Sequence, residues 1–563
     1  MSTEIERRFL VKSDTWRDGV ESASRSVQGY LVASPQAAVR HLIRVGDHLW
    51  GSQLGSQLAA ALLGLGLLAL IPGLAGCGRQ DPGEQALRFA LATPPRTLDP
   101  RLATDATSER INRLLYRRLV EFDAAALPIP SLATWERLSP TRYLFTLGAE
   151  GRDFSDGSRL SAEDVAATYS SILDPATASP HRALLNLIAE VLPEGRDRIE
   201  FRLREPDPLF PAYLGIGILP ARLIQAGHAF QRQPVGSGPF ALRDWPEPGR
   251  LRLTRRRDAR AVELVTVKDP NVRVLKLLRG EVQMLQNDLS PELIAFLQGR
   301  AQIRVTRGPG VNFSYLGFNL EDPQTGRPEV RQALAHAIDR QGILRHLFRG
   351  GGRLASGLFP PGHWAANPDL AGPSFDPTRA RVLLAAAGYG PEQPLRLTLK
   401  TSSDPFRVRL ATVLQAQMRD LGVELRVQSF DWGTFFGDIQ AGRFQLYGLT
   451  WVGIRTPDIF RYAFASTAVP PDGANRGRYR SPEADRLIAA ARAEPDLGRQ
   501  AALYRALAAR LLDDLPYIPL WYEDQVLACR SDVRGYALAP DGNFDGLETV
   551  AWDPASPETL SNP

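Results

Sequence analysis

From Leu49 to Gly78 the sequence carries no charged residue, and Leu58 to Leu70 is built of Ala, Leu and Gly alone. A run of that length is enough to span a bilayer, which takes about 20 apolar residues. A buried core helix is a poor reading, because Gly64, Gly66, Pro72 and Gly73 would weaken it. The segments on its two sides therefore belong to different structures. At 563 residues the chain exceeds one ordinary core, so two or three domains are expected beyond it.

The run closes on Leu74-Ala75-Gly76-Cys77, followed by Gly78 and the polar Arg79-Gln80-Asp81. Small residues directly before a cysteine at the end of an apolar stretch resemble the lipobox of bacterial lipoprotein signals. The resemblance implies cleavage before Cys77 and acyl chains on its thiol and new amine, and several chains anchor a protein stably where one does not. An uncleaved membrane anchor is the alternative. Either way the remainder is expected on the periplasmic or cell-surface side of the cytoplasmic membrane. The other cysteine, Cys529, ends the apolar run Val526-Leu527-Ala528-Cys529 and reads as a buried small hydrophobe.

A signal normally begins near the N-terminus, yet about 45 residues precede this one. They open MSTEIERRFLV, where Glu4, Glu6 and Arg8 share one face of a strand. Gln28 to Leu31 reads as a second strand. The opening resembles that of CYTH (triphosphate tunnel) enzymes, whose E-x-E-x-K carboxylates hold a divalent metal; here the last position is Arg8. Two or three strands leave open edges and no enclosed site, so residues 1–45 read as a truncated fragment without activity. A gene fusion, an assembly error or a misplaced start is the expected account of it. No Met lies between Met1 and Met284, so a start near Val39 to Val45 would need an alternative codon.

After a linker over residues 78–86, Leu87 to Leu91 alternates as a strand and leads into the turn Thr97-Leu98-Asp99-Pro100. A helix follows over Ser108 to Leu119, with Ile111, Leu114, Leu115 and Leu119 on its apolar face. The string Phe154-Ser155-Asp156-Gly157, then Leu160-Ser161-Ala162-Glu163-Asp164-Val165, is a turn and a capping box opening a helix that stops before Pro175. Pro234 to Phe240 reads PVGSGPF; no strand–loop–helix with lysine follows, which excludes a phosphate loop. Val330 to Arg340 reads VRQALAHAIDR behind Pro328, with Val330, Leu334, Ala337 and Ile338 on one face. Asp376-Pro377 opens a helix ending at Gly388, and Ser481-Pro482 opens another. The helix Arg499 to Leu512 leads into the strand Leu515 to Trp521.

These strings, in this order from about residue 87 to 536, resemble solute-binding family 5, the oligopeptide and dipeptide binders of bacterial ABC importers. The resemblance implies an α/β fold of the two-lobed periplasmic-binding type II class, with an extra subdomain in lobe I. Lobe I is expected over 87–265 with the subdomain at 106–195, lobe II over 266–485, and a return to lobe I over 486–563. It also implies a monomer that traps a small solute or short peptide between its lobes. The closed form then meets a membrane permease driven by an ATPase. No cofactor is implied.

In peptide-binding relatives an aspartate shortly after a tryptophan pairs with the peptide amine. Here Thr450 to Asp458 reads TWVGIRTPD, and Ile454 stands at that acid's place. Asp458 aligns with the following acid, and Arg455 offers a bidentate contact to an anion or a rim pair with Asp458. Trp432 and Trp451 are candidates for an aromatic wall, and Asn319 is a further candidate ligand contact. Peptide specificity is left open by Ile454.

Other readings find less support. The formal charge is +5, but the basic residues are dispersed, with only four lysines among 67, so no nucleic-acid stripe exists. The seven histidines show no zinc spacing and no G-x-S-x-G elbow occurs. A ligand sensor or chaperone-like binder on the same fold is the alternative function, with a triphosphate hydrolase a distant third.

Overall fold

A computed structural model describes residues 86–553. The uncharged run, Cys77 and the Glu4–Arg8 strand lie outside the described residues.

Two long antiparallel strands, Ile303–Phe318 and Tyr517–Arg530, form the spine of an eleven-stranded mixed sheet. On one side they meet Leu446–Trp451, Leu395–Ser402 and Val423–Phe430; on the other come Met284–Gln286, Leu87–Leu91, Ala261–Thr266, Arg250–Arg255 and Phe240–Glu247. The short strand Gly352–Leu354 also pairs with Tyr517–Arg530. The spine strands belong to both lobes. Their pairing slips between Gly308 and Asn312, where the register shifts, and Gly310 lies so close that an added Cβ would sit 2.0 Å from the Glu523 carbonyl oxygen. A bulge bends the paired strands at this crossing.

Lobe I buries Phe89, Leu114, Leu115, Leu264 and Leu527 in one core, with Cys529 fully buried among them, as its apolar run predicts. The core of lobe II gathers Val330, Leu334, Leu397, Leu414 and Trp521. A third core, from Leu119 to Ile218, packs the helix Ala162–Leu173 on a four-stranded sheet ordered Ala133–Ser139, Arg142–Leu147, Arg198–Leu203, Ile188–Glu194.

These cores shift the expected boundaries. The helix Ala106–Leu115 packs with lobe I through Ile111 and Leu114, so the subdomain is the stretch from Leu119 to Ile218 rather than 106–195. Residues 270–298 pack with lobe I, because Met284–Gln286 pairs with both Leu87–Leu91 and Tyr517–Arg530. Helices Pro482–Ala493 and Leu497–Asp514 bury Leu487, Tyr504 and Leu507 with lobe II. The lobes exchange inside the two spine strands, not at 266 and 486.

The motif strings have local physical roles. Ser161 and Asp164 form the capping box, Asp164 Oδ2 accepting from the Ser161 amide at 2.7 Å. In VRQALAHAIDR, Asp339 caps the helix Arg340–His346 by accepting from the Gly342 amide at 2.7 Å. Its two arginines are buried: Arg331 donates to the carbonyls of Thr325, Gly326 and Asp514, and Arg340 to those of Ala355, Pro373 and Pro519.

The helix expected to run to Leu119 stops at Leu115, because the PVGSGPF turn occupies its end. The Gly238 amide donates to the Leu115 carbonyl at 2.9 Å, and the Ser155 amide donates to Gly236, which joins the two strings. A Cβ on Gly238 would lie 2.4 Å from the Leu114 oxygen. Gly238→Ala is therefore expected to destabilise the fold by about 3 kcal/mol, since a backbone carbonyl cannot swing aside as a side chain can. Urea unfolding measures it, and a loss under about 1 kcal/mol would show that the contact yields.

Candidate ligand-binding site

The helix Ala106–Leu115 turns Ile111, Leu114 and Leu115 into lobe I, which leaves Glu109, Arg110 and Arg113 toward a cavity of about 430 Å³. Arg118 and Phe122 extend this wall, His181, Tyr213 and Ile216 come from the subdomain, and Asp541 and Asn543 from a late loop of lobe I. Lobe II closes the space with Val452, Gly453, Arg455 and Thr456, the turn after Leu446–Trp451.

Arg455 crosses between the lobes. Its Nη2 lies 2.5 Å from Asp541 Oδ2, and its guanidinium stands 5.3 Å from the centre of the Phe122 ring. The Arg455 carbonyl accepts from His363 Nε2 at 2.8 Å, while His363 Nδ1 accepts from the Ala365 amide. Burial lowers the His363 pKa to about 4, so the neutral ring holds the turn. Asp541 also accepts from the Asn543 amide and side chain.

On lobe I, Arg113 donates through Nε to Asp545 at 3.0 Å and through Nη2 to Glu121 at 3.1 Å. Burial pulls the Arg113 pKa down, but the hydrogen bond and charge of Asp545 lift it above its ordinary value. Arg118 pairs with Glu121. Burial first, then the nearby positive Arg113 and Arg455, pull its pKa down to about 10. Glu109 keeps about half of its side chain open to the cavity; even so, desolvation raises its carboxyl to about 7 against the pull of Arg118 and Arg455. His181 Nε2 is 3.9 Å from Glu109, and burial lowers its pKa. The cavity thus holds crowded guanidinium groups facing carboxylates, with donors and acceptors from both lobes.

A second, mostly apolar cavity of about 240 Å³ lies within lobe II between the sheet and the helices Pro405–Arg419 and Trp432–Gln440. Val452 lines both cavities, so the two adjoin. Trp432, 56 % exposed, is at the rim of this one, stacked on Phe436.

Of the expected residues, then, Arg455 lines the main cavity and Trp432 the adjoining one. Trp451 lines neither: it stacks on Tyr315 and under the Arg476 guanidinium, 4.8 Å from its ring centre. Asp458 does not pair with Arg455. It takes both hydrogen bonds of Arg461 at 2.7 Å, in a separate groove with Asp207 and Arg492, because the helix Asp458–Phe464 sets it three residues before Arg461. Asn319 is a loop staple rather than a cavity residue, its amide donating to the carbonyls of Gly442 and Phe444. The residues missed from sequence are Glu109, Asn112, Arg113, Arg118, His181 and Asp541. A charged helix face looks solvated in one dimension, so nothing local marked these residues.

Two α/β lobes joined by paired strands and closing on a polar cavity define a solute-binding protein of the two-lobed periplasmic type. The model for bacterial extracellular solute-binding proteins, family 5 (middle), matches residues 128–470, and the chain belongs to that family of binding proteins, not enzymes. It is 29% identical over 476 residues to a probable di/tripeptide-binding protein 5 of Pseudomonas aeruginosa (strain UCBPP-PA14), covering 77% of this chain and 89% of that one. It is 27% identical over 491 residues to a dipeptide-binding protein of Escherichia coli (strain K12), covering 80% and 91%. A solved structure, the dipeptide binding protein from Pseudoalteromonas sp. SM9913 in complex with Met-Leu, is similar with a TM-score of 0.72 at 25% identity, over 83% of this chain and 100% of that one.

Proposed function

We propose that the chain captures a short peptide between its lobes and hands it to the permease of an ABC importer. It works as a monomer outside the cytoplasm, held at the membrane by acyl chains on Cys77. The observation that carries this reading is the interlobe cavity, which sets guanidinium groups and carboxylates around one space. A zwitterionic peptide carries the complementary pair of end charges. The volume of about 430 Å³ lies toward the lower end of the roughly 300–1,000 Å³ range of small-ligand sites, which suits two or three residues better than a long chain. The peptide-binding names of the relatives agree with it. Closure needs no covalent chemistry, since a ligand that touches both lobes shifts the open–closed population by its differential affinity.

Native mass spectrometry of the full chain purified from its host membranes tests the reading. The expected result is a co-purified mass of two or three amino acids and a lipid adduct on Cys77. A non-peptide ligand would overturn the peptide assignment, and an unmodified Cys77 the anchor.

A further inference from the structure

Leu87–Leu91, Ala261–Thr266 and Met284–Gln286 run parallel, while Arg250–Arg255 and Tyr517–Arg530 run against them. One end of the lobe I sheet therefore gathers the turns at residues 256–260, 279–283, 299–302 and 531–532. The pairing of Val533–Arg534 with Ala551–Trp552 adds Asp553 to the same end. Six exposed arginines stand on these turns and beside them: Arg256, Arg257, Arg279, Arg300, Arg304 and Arg534. The exposed acids there are Asp258 and Asp553. Glu281 and Asp532 are half-buried and already matched, by Lys276 at 2.5 Å and Arg530 at 3.7 Å. Scattered along the chain, these charges form a basic surface only where the strand ends meet.

Three of the arginines are in no ion pair among the described residues. Arg256 donates to the Asp153 carbonyl at 2.6 Å and Arg304 to that of Val533, while Arg300 lies 4.4 Å from the centre of the Phe296 ring. Phe296 is 43% exposed and Leu275 48%, each four positions before an arginine, on the helices Pro291–Gln298 and Pro270–Leu278. Exposed apolar side chains rimmed by arginine suit the boundary between phospholipid headgroups and acyl chains.

The tether selects the same occupant. Leu87, ten positions after Cys77, opens its strand at this basic end. Ten residues span at most about 36 Å, so acyl chains on Cys77 hold this end within that distance of the headgroups. We propose that this end of lobe I rests on the anionic headgroups of the bilayer that anchors Cys77; this rests on the reading of Cys77 as the acylated residue. The main cavity lies past the other end of the same strands, where Gln286 Nε2 donates to the Gly542 carbonyl at 2.8 Å, beside Asp541 and Asn543. Resting in this way turns the cavity away from the membrane, toward arriving solute.

Fluorescence quenching of the full chain in phospholipid nanodiscs tests this. A bimane label is placed on Ala301→Cys at the basic end or on Val382→Cys in lobe II, with a nitroxide on the lipid headgroups. Cys529 is buried and does not compete for the label. Discs of phosphatidylglycerol should quench the Ala301→Cys label at least about 5-fold more than discs of phosphatidylcholine, and about 1 M salt should abolish the difference. The Val382→Cys label should show no such difference. Arg257→Gln, Arg279→Gln and Arg300→Gln together should bring the phosphatidylglycerol value down to that of phosphatidylcholine, with urea unfolding unchanged. No excess quenching on phosphatidylglycerol, or an excess that survives the triple variant, overturns the proposal while a lipid adduct on Cys77 upholds the anchor. Quenching that needs two proteins on one disc would give the surface to a second copy and overturns it too. An unmodified Cys77 overturns the anchor and the proposal with it.

Discussion

Arg340→Met is expected to lower the unfolding free energy by about 3–5 kcal/mol, more than any other single substitution considered for this chain. Arg340 is 5% exposed and has no carboxylate partner among the described residues; burial alone pulls its pKa down to about 10. Its guanidinium donates to the carbonyls of Ala355 at 2.7 Å and Pro519 at 2.8 Å, and also to Pro373. Two loop segments, at Ala355 and Pro373, and the spine strand Tyr517–Arg530 are tied to one planar group, a geometry that lysine or methionine cannot reproduce. Methionine removes the cost of a buried charge but strands two buried carbonyls and a part-buried third, the buried ones each worth about 1–3 kcal/mol. The second effect outweighs the first because it occurs at more than one carbonyl. Urea unfolding of the variant measures the loss, and a change under about 1 kcal/mol would show that water replaces the guanidinium.

Arg455→Ala should weaken ligand binding by roughly 10–30-fold, equivalent to about 1.4–2 kcal/mol. The pair with Asp541 spans the lobes, so it forms only on closure, and deleting it lowers the closed population that holds the ligand. Each side chain keeps about a quarter of its surface exposed, 23% and 24%, which discounts the effect below that of a fully buried pair. A double-mutant cycle with Asp541→Ala separates the latch from direct ligand contact. If Arg455 acts mainly through Asp541, the double variant binds no worse than Arg455→Ala. A strictly additive loss would instead place Arg455 on the ligand independently of Asp541.

Much of the architecture was legible residue by residue. The capping box at Ser161 and Asp164, proline in the first turn at Pro328, Pro377 and Pro482, and Gly388 past the end of its helix at φ +85° all act within one helical turn. Such signals need no knowledge of the rest of the fold. The strings FSDG, PVGSGPF and VRQALAHAIDR also pointed to the family, and the structure supplies their reasons. Gly236 and Gly238 clear a path for the Leu114 and Leu115 carbonyls, and Arg331 and Arg340 anchor loops of lobe II.

The site was hardly legible. Arg455 emerged because its segment resembles a known one, whereas Asp541, Arg113 and Arg118 carried no local mark. Trp451, Asp458 and Asn319 looked equally suited to the cleft, and their side chains face Tyr315, Arg461 and two loop carbonyls instead.

What the sequence determined by itself was the ends of most helices, since those rest on backbone restrictions and bonds between near neighbours, and, through its resemblance to solute-binding family 5, the two-lobed plan. Only the tertiary structure decided where the lobes divide and which charges share a cavity. Asp541 and Arg455 are 86 positions apart and Arg113 and Asp545 are 432 apart. Whether such groups meet depends on how the Ile303–Phe318 and Tyr517–Arg530 strands pair and carry the chain between the lobes. Electrostatic partnership acts through space, and the order of residues along a chain does not record it.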